Sequence, residues 1–197
     1  MMVISGGTAL NAAVAGAGNV EIQPGGSLSG GVVEDLGVVK AAGGRLGGHI
    51  DVAGYIGGGT IIDQGVVDIT SGGVASQIVV ASGGSIHIDP GGRISNGVFL
   101  QVGGHATVDA SVSGTVDLAQ DGYARLIVTG RTNPKLVISG FNGARKDASD
   151  QIVLRDIPRA DIMKVDYPDV DHVAFTLQER RNDHPHGPWG EKTWLLP

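Results

Sequence analysis

Pairs of adjacent glycines punctuate the first two-thirds of the chain, at Gly6-Gly7, Gly25-Gly26, Gly43-Gly44, Gly72-Gly73, Gly83-Gly84, Gly91-Gly92 and Gly103-Gly104. The first three pairs follow at nearly even intervals, from Gly6 to Gly25 to Gly43, and Gly72 to Gly91 repeats the interval from Gly6 to Gly25. A fixed period of roughly 20 residues is the mark of a solenoid, in which each repeat buries its apolar face only by stacking on its neighbours. That constraint removes most globular architectures at once. It also directs attention to an extended surface rather than to a closed pocket.

The segments between the glycine pairs say what kind of coil this is. Short arms read Val20-Glu21-Ile22, Val39-Lys40-Ala41, Val67-Asp68-Ile69 and Ile86-His87-Ile88, each running into a turn such as Gln23-Pro24-Gly25-Gly26. Longer arms read Gly7-Thr8-Ala9-Leu10-Asn11-Ala12-Ala13-Val14 and Gly73-Val74-Ala75-Ser76-Gln77-Ile78-Val79-Val80. Apolar–polar–apolar alternation closed by a turn signal is the period of a half-buried strand. Glycine at the corners accepts positive φ without steric cost. No stretch combines helical periodicity with caps, so the chain reads as all-β.

Composition narrows the alternatives. Glycine supplies 34 of 197 residues, yet there is no Gly-X-Y triplet and only eight prolines, which excludes a collagen helix. An apolar share of 41% with 17% charged residues is too hydrophobic for a disordered chain. With eight aromatic residues in all, the core has to be built from Val, Ile, Leu and Ala, which suit a narrow stacked coil. A net charge of −6 does not make a nucleic-acid footprint. Cysteine is absent, so neither disulfides nor thiolate chemistry contribute. No apolar run is long enough for a transmembrane helix. The opening Met1-Met2-Val3-Ile4-Ser5-Gly6-Gly7 enters the repeat directly and lacks a signal peptide, which leads to the expectation that the chain is a piece of a longer protein.

Three regions are expected. Residues 1–130 form the repeat region, with a bulge or irregular turn between residues 44 and 72, where Gly47-Gly48 and Gly57-Gly58-Gly59 break the rhythm. Residues 131–180 are poorer in glycine and more charged, as a polar terminal cap should be. Residues 181–197 read as a tail, whose end at Trp194-Leu195-Leu196-Pro197 is placed back against the cap.

The phrases Gly6-Gly7-Thr8-Ala9-Leu10-Asn11-Ala12-Ala13-Val14 and Gly72-Gly73-Val74-Ala75-Ser76-Gln77-Ile78-Val79-Val80-Ala81-Ser82-Gly83-Gly84 resemble the repeats of bacterial autotransporter adhesins of the diffuse-adherence (AIDA) type. There a motif close to Gly-Gly-x-Ala-x-x-x-x-Val alternates with a shorter Gly-Gly-x-x-x-Val arm, at roughly 19–20 residues per unit. The resemblance covers about residues 4–104 well and 105–130 loosely. It implies a right-handed parallel β-helix of roughly six or seven turns, displayed outside a bacterial cell as a passenger region and acting in adhesion or aggregation. The chain departs from that pattern in having no signal sequence and no translocator barrel, and in being poor in serine and threonine.

Candidate chemistry lies on the outer surface of the rod. If residues about 19 apart stack at about 4.8 Å per layer, Glu21/Lys40 and Asp68/His87 become neighbours, and all four are expected on one outward face. Such a ladder contacts a glycan or a cation, or serves only to keep the sheet solvated. The calcium-binding nonapeptide is not matched by Gly57-Gly58-Gly59-Thr60-Ile61-Ile62-Asp63. The acidic run Asp161, Asp166, Asp169, Asp171 with His172 fits no known loop and reads as solvated cap surface. Asp183 with His184-Pro185-His186 offers imidazole and carboxylate for a transition metal, but in a tail setting. Asp51, Asp63, Asp68 and Asp89 show no Arg at one-turn spacing of the kind a polysaccharide-cleaving β-helix would need. No catalytic, cofactor-binding or metal-binding residues are therefore assigned. The expectation is a non-enzymatic solenoid without cofactors, meeting a glycan or cell-surface receptor or associating with itself through its ends or faces. Polysaccharide-active and self-assembling solenoids stand as the alternatives.

Overall fold

A computed structural model describes residues 2–118, 123–132, 134–143, 149–166, 173–179 and 190–196. Parallel strands stack in coils to form a β-solenoid of about seven turns, and the described residues contain no α-helix. Up to Ile94 each coil contributes to three strand faces, and beyond it to two. The first face is a six-stranded parallel sheet of Met2–Ile4, Asn19–Ile22, Val38–Lys40, Tyr55–Gly57, Val74–Ser76 and Arg93–Ile94. The second and third faces begin as three long strands, Thr8–Val14, Ser27–Val33 and Arg45–Val52, which turn the corner between faces within a single strand. Asn11, Gly30 and Gly48 sit at that corner with positive φ.

From residue 52 onward the two faces separate. Arg45–Val52 pairs at its start with Thr60–Ile61 and at its end with Val66–Ile69. The second face then runs through Ile78–Val80, Val98–Leu100, Ser113–Leu118 and Lys135–Ser139. The third runs through Ser85–Ile88, His105–Asp109, Arg125–Thr129 and Gln151–Leu154. Alternation does what it should: in Val67-Asp68-Ile69 both aliphatic side chains are fully buried while the aspartate points out. The inward residues of all three faces join one continuous core, with no aromatic member among the described residues. Fully burying one such Val, Leu or Ile is worth about 1.5–3 kcal/mol, so the rod gains stability coil by coil.

The two glycines of a corner do different work, and Gly72-Gly73 shows the division. Gly72 has φ +89° and a Cβ there would come no closer than 3.8 Å to the Ala53 carbonyl oxygen, so it supplies the left-handed backbone of the turn rather than close approach. Gly73 has no such φ, but a Cβ there would lie 2.2 Å from the Val52 carbonyl oxygen of the preceding coil. The second glycine therefore exists for close approach, and Gly84 and Gly104 stand against the oxygens of Ile61 and Val80 in the same way.

The expected irregularity between residues 44 and 72 is a real shortening with a bulge. Leu46 stacks on Ile61, whereas Ile61 stacks on Val80, so the first of these coils is markedly shorter than the second. The bulge lies just before it. Ser29 pairs with Gly47 and Gly31 with Ile50, so Gly48 and His49 oppose the single residue Gly30. A bulge adds a residue on one strand, bends it and re-aims its side chains.

The parallel ladder runs past residue 130, where the cap was expected to begin. Lys135–Ser139 and Gln151–Leu154 each add a further rung, with Leu136 and Ile138 buried and Lys135 and Val137 outward. The rise in charge after residue 131 thus falls largely on outward positions. Asp150 secures the last rung from a buried position, its carboxylate accepting the Ala124 amide at 2.9 Å and the Asn142 amide at 2.8 Å. Beyond it the topology changes to a three-stranded antiparallel sheet, Ile162–Asp166, Val173–Glu179 and Gly190–Leu196. Leu154, Ile157, Ile162 and Leu177 form its small core, and Leu154 also packs on the main one. Within the expected tail, Gly190–Leu196 is a strand paired antiparallel with Val173–Glu179.

Two stability measurements check this account. Gly73→Ala is expected to cost about 3 kcal/mol through the forced displacement of the Val52 carbonyl, while Gly72→Asn, which keeps a left-handed residue, costs about 1 kcal/mol or less; chemical denaturation ranks the two. Asp150→Ala leaves two backbone amides without their acceptor and is expected to cost about 1–3 kcal/mol by the same assay.

Candidate functional site

Outward side chains of a parallel coil stack directly on those of the coils before and after. The structure confirms both neighbour pairs expected from the regular repeat: Glu21 is the register partner of Lys40, and Asp68 of His87. It corrects their placement. Glu21/Lys40 lie on the first face and Asp68/His87 on the third, because a coil has three faces where two kinds of arm are distinguishable in the sequence. Glu21 receives a hydrogen bond from the Gln23 side chain in the corner that follows its strand.

The third face holds the densest polar cluster. Its outward row runs Val32, Asp51, Asp68, His87, Thr107 in successive coils. Asp51 and Asp68 are thus direct neighbours, two carboxylates one strand apart. His49 joins them from the bulge. Its Nε2 lies 3.1 Å from Asp51 Oδ1 and 3.3 Å from Asp68 Oδ2. On the other side His87 Nδ1 is 3.0 Å from Asp68 Oδ1. Exposure falls toward the centre: the side chains of His49 and Asp51 are 58% and 46% exposed, that of Asp68 only 25%. Asp68 Oδ1 is cut off from solvent and has no aligned hydrogen-bond donor, since His87 approaches at ion-pair distance but off the hydrogen-bonding direction.

Like charges on neighbouring strands destabilise a sheet, and imidazoles on both sides offset part of that cost. The ligand-type atoms of His49, Asp51 and Asp68 all lie within 4.8 Å of one another, a group among the described residues that could hold a metal. In the sequence Asp68 stands out as the expected neighbour of His87 and Asp51 only as an acid lacking a partner Arg, while nothing singles out His49. Asp51 and Asp68 are closer along the chain than Asp68 and His87, so the regular repeat does not pair them. The bulge that turns His49 toward them leaves only the glycines at 47 and 48 as a trace.

The remaining candidates disperse. Asp161 pairs with Arg131 at 2.7 Å and Asp166 with Lys164 at 2.8 Å, two separate surface ion pairs. Arg131 also donates to the Asp156 carbonyl, so it ties the corner after Arg125–Thr129 to the segment that follows Gln151–Leu154. Asp63 lies in an exposed corner with positive φ, and Asp89 is exposed in the corner before Gly91. Asp169, Asp171, His172 and the group Asp183, His184 and His186 lie outside the described residues. No helix among the described residues is long and apolar enough to cross a membrane.

No family model and no curated protein matches the chain. Among solved structures it is similar to the TibC-catalysed hyper-glycosylated TibA fragment spanning residues 55–350 of that protein, at 22% identity and a TM-score of 0.30. The match covers 70% of this chain and 54% of that one, so the chain spans about half the length of the neighbour. Agreement this loose carries no argument about function.

In metal-free buffer with chelator, Asp51→Asn removes one of the two stacked charges. It is expected to raise stability by about 0.2–1 kcal/mol; an unchanged or lowered unfolding midpoint in urea would show that the imidazole of His49 already outweighs the repulsion.

Proposed function

We propose that the chain is a non-enzymatic rod that presents its outer faces for adhesion or display at a cell surface. One observation carries this reading. From Thr8 to Leu118 no connection between consecutive strands exceeds four residues. A β-helix that cleaves polysaccharide needs long loops standing out from the coil to form a cleft around two carboxylates and the scissile bond. Corners this short leave smooth, flat faces, which suit many weak contacts with a glycan or a surface receptor. The glycine-paired repeats that resemble those of autotransporter adhesins support the same reading. Charged outward residues such as Glu21, Lys40 and Arg45 would keep the sheets from joining edge to edge or face to face while leaving them open to partners.

Beads coated with the purified chain provide the test. They are expected to attach to cultured cells or to cluster with one another, and pretreating the cells with glycosidases identifies a glycan receptor by loss of attachment. Release of shortened or unsaturated oligosaccharides from a polysaccharide panel, with beads that neither attach nor cluster, would overturn the proposal in favour of an enzyme.

A further inference from the structure

The cluster on the third face has a property that a solvated ladder does not require: one nitrogen and two carboxylate oxygens converge to within 4.8 Å of one another. Ligands of a zinc-type ion sit at about 2.0–2.2 Å from the metal and therefore about 3–3.5 Å from one another. His49 Nε2 stands 3.1 Å from Asp51 Oδ1 and 3.3 Å from Asp68 Oδ2. We propose that His49, Asp51 and Asp68 form a binding site for a divalent transition-metal ion, with His87 as the residue that positions Asp68. This proposal is independent of the adhesive reading.

Charge and hydrogen-bond accounting lead to the same place. A neutral imidazole Nε2 has at most one proton to give, yet two carboxylate oxygens face it. Those carboxylates belong to register partners, so the backbone ladder itself holds the like charges together. A dication satisfies both oxygens and uses the lone pair of Nε2 instead of its proton. The donor set selects the metal class, since one imidazole and two carboxylates suit zinc, cobalt or nickel, whereas calcium and magnesium prefer all-oxygen cages.

Asp68 Oδ1 supplies a separate observation. It is removed from solvent without an aligned donor, and His87 Nδ1 lies 3.0 Å away on the side opposite His49. Held there, the carboxylate keeps Oδ2 directed toward His49 and Asp51, as a partner outside the ligand set does in known metal centres. The frame is rigid, because three successive coils contribute the residues through paired strands. With His49 and Asp51 half-exposed, a fourth position opens to solvent and would be filled by water or by a donor from another molecule.

The test uses the full chain without a purification tag. Calorimetric titration with Zn2+ is expected to give one ion per chain, and Co2+ is expected to develop visible absorption in the same stoichiometry. Zn2+ should raise the thermal midpoint of the native chain relative to chelator. His49→Ala and Asp68→Asn are each expected to weaken binding more than about a hundredfold, and His87→Gln about tenfold with stoichiometry retained. Circular dichroism establishes that each variant keeps its strands, and His49→Gln, of similar size, replaces any variant that does not. The paired change His184→Ala with His186→Ala is the control and should leave binding intact. Absence of Zn2+ and Co2+ binding would overturn the proposal. So would binding that survives His49→Ala and disappears with the control.

Discussion

The rod depends on how closely one coil can lie on the next. Parallel strands hydrogen-bond only at a spacing of about 4.8 Å, so every corner must let the backbone of the preceding coil pass at van der Waals distance. At Gly73 that neighbour is the Val52 carbonyl oxygen, 2.2 Å from where any Cβ would be. Larger residues at such corners would lift the coil and break the ladder on all three faces together. Once the corners are small, the inward Val, Ile and Leu side chains stack on their equivalents and form one unbroken core.

The same ladder governs the outer surface. A residue pointing out of one coil has no choice of neighbour, since the register brings it beside its partner in the next. Where the partners are Glu21 and Lys40 this costs nothing. Where they are Asp51 and Asp68, two carboxylates are held together with no freedom to part. His49 and His87 flank that pair, and their placement makes the third face the most distinctive surface of the rod. Between Thr8 and Leu118 no corner exceeds four residues, the observation on which the proposed contact over an area rests.

Much of this was legible in the chain. Alternation in Val67-Asp68-Ile69 and Ile86-His87-Ile88 assigned inward and outward positions correctly, and the regular repeat paired Asp68 with His87. The grouping of all four ladder residues on one face failed, because short arms from the first and third faces look alike locally. Asp51 and His49 escaped because the coil between Leu46 and Ile61 is short, which shifts the spacing there away from the regular repeat. The end of the parallel stack was placed too early for a related reason. The loss of glycine and rise in charge after residue 131 signalled a polar cap, while Leu136 and Ile138 were already continuing the core.

The sequence by itself determined that the chain coils, that its core is aliphatic and that glycine makes its corners. These follow from interactions within a few residues: side chains alternate about a strand, and turn backbone excludes a Cβ. Which residues meet across the coils was decided only by the tertiary structure. Lateral neighbours depend on the number of residues in each complete turn; the glycines at 47–48 and 57–59 mark where that number changes, but not which residues the bulge and the shortened coil bring together. The meeting of His49, Asp51 and Asp68 is the product of that count.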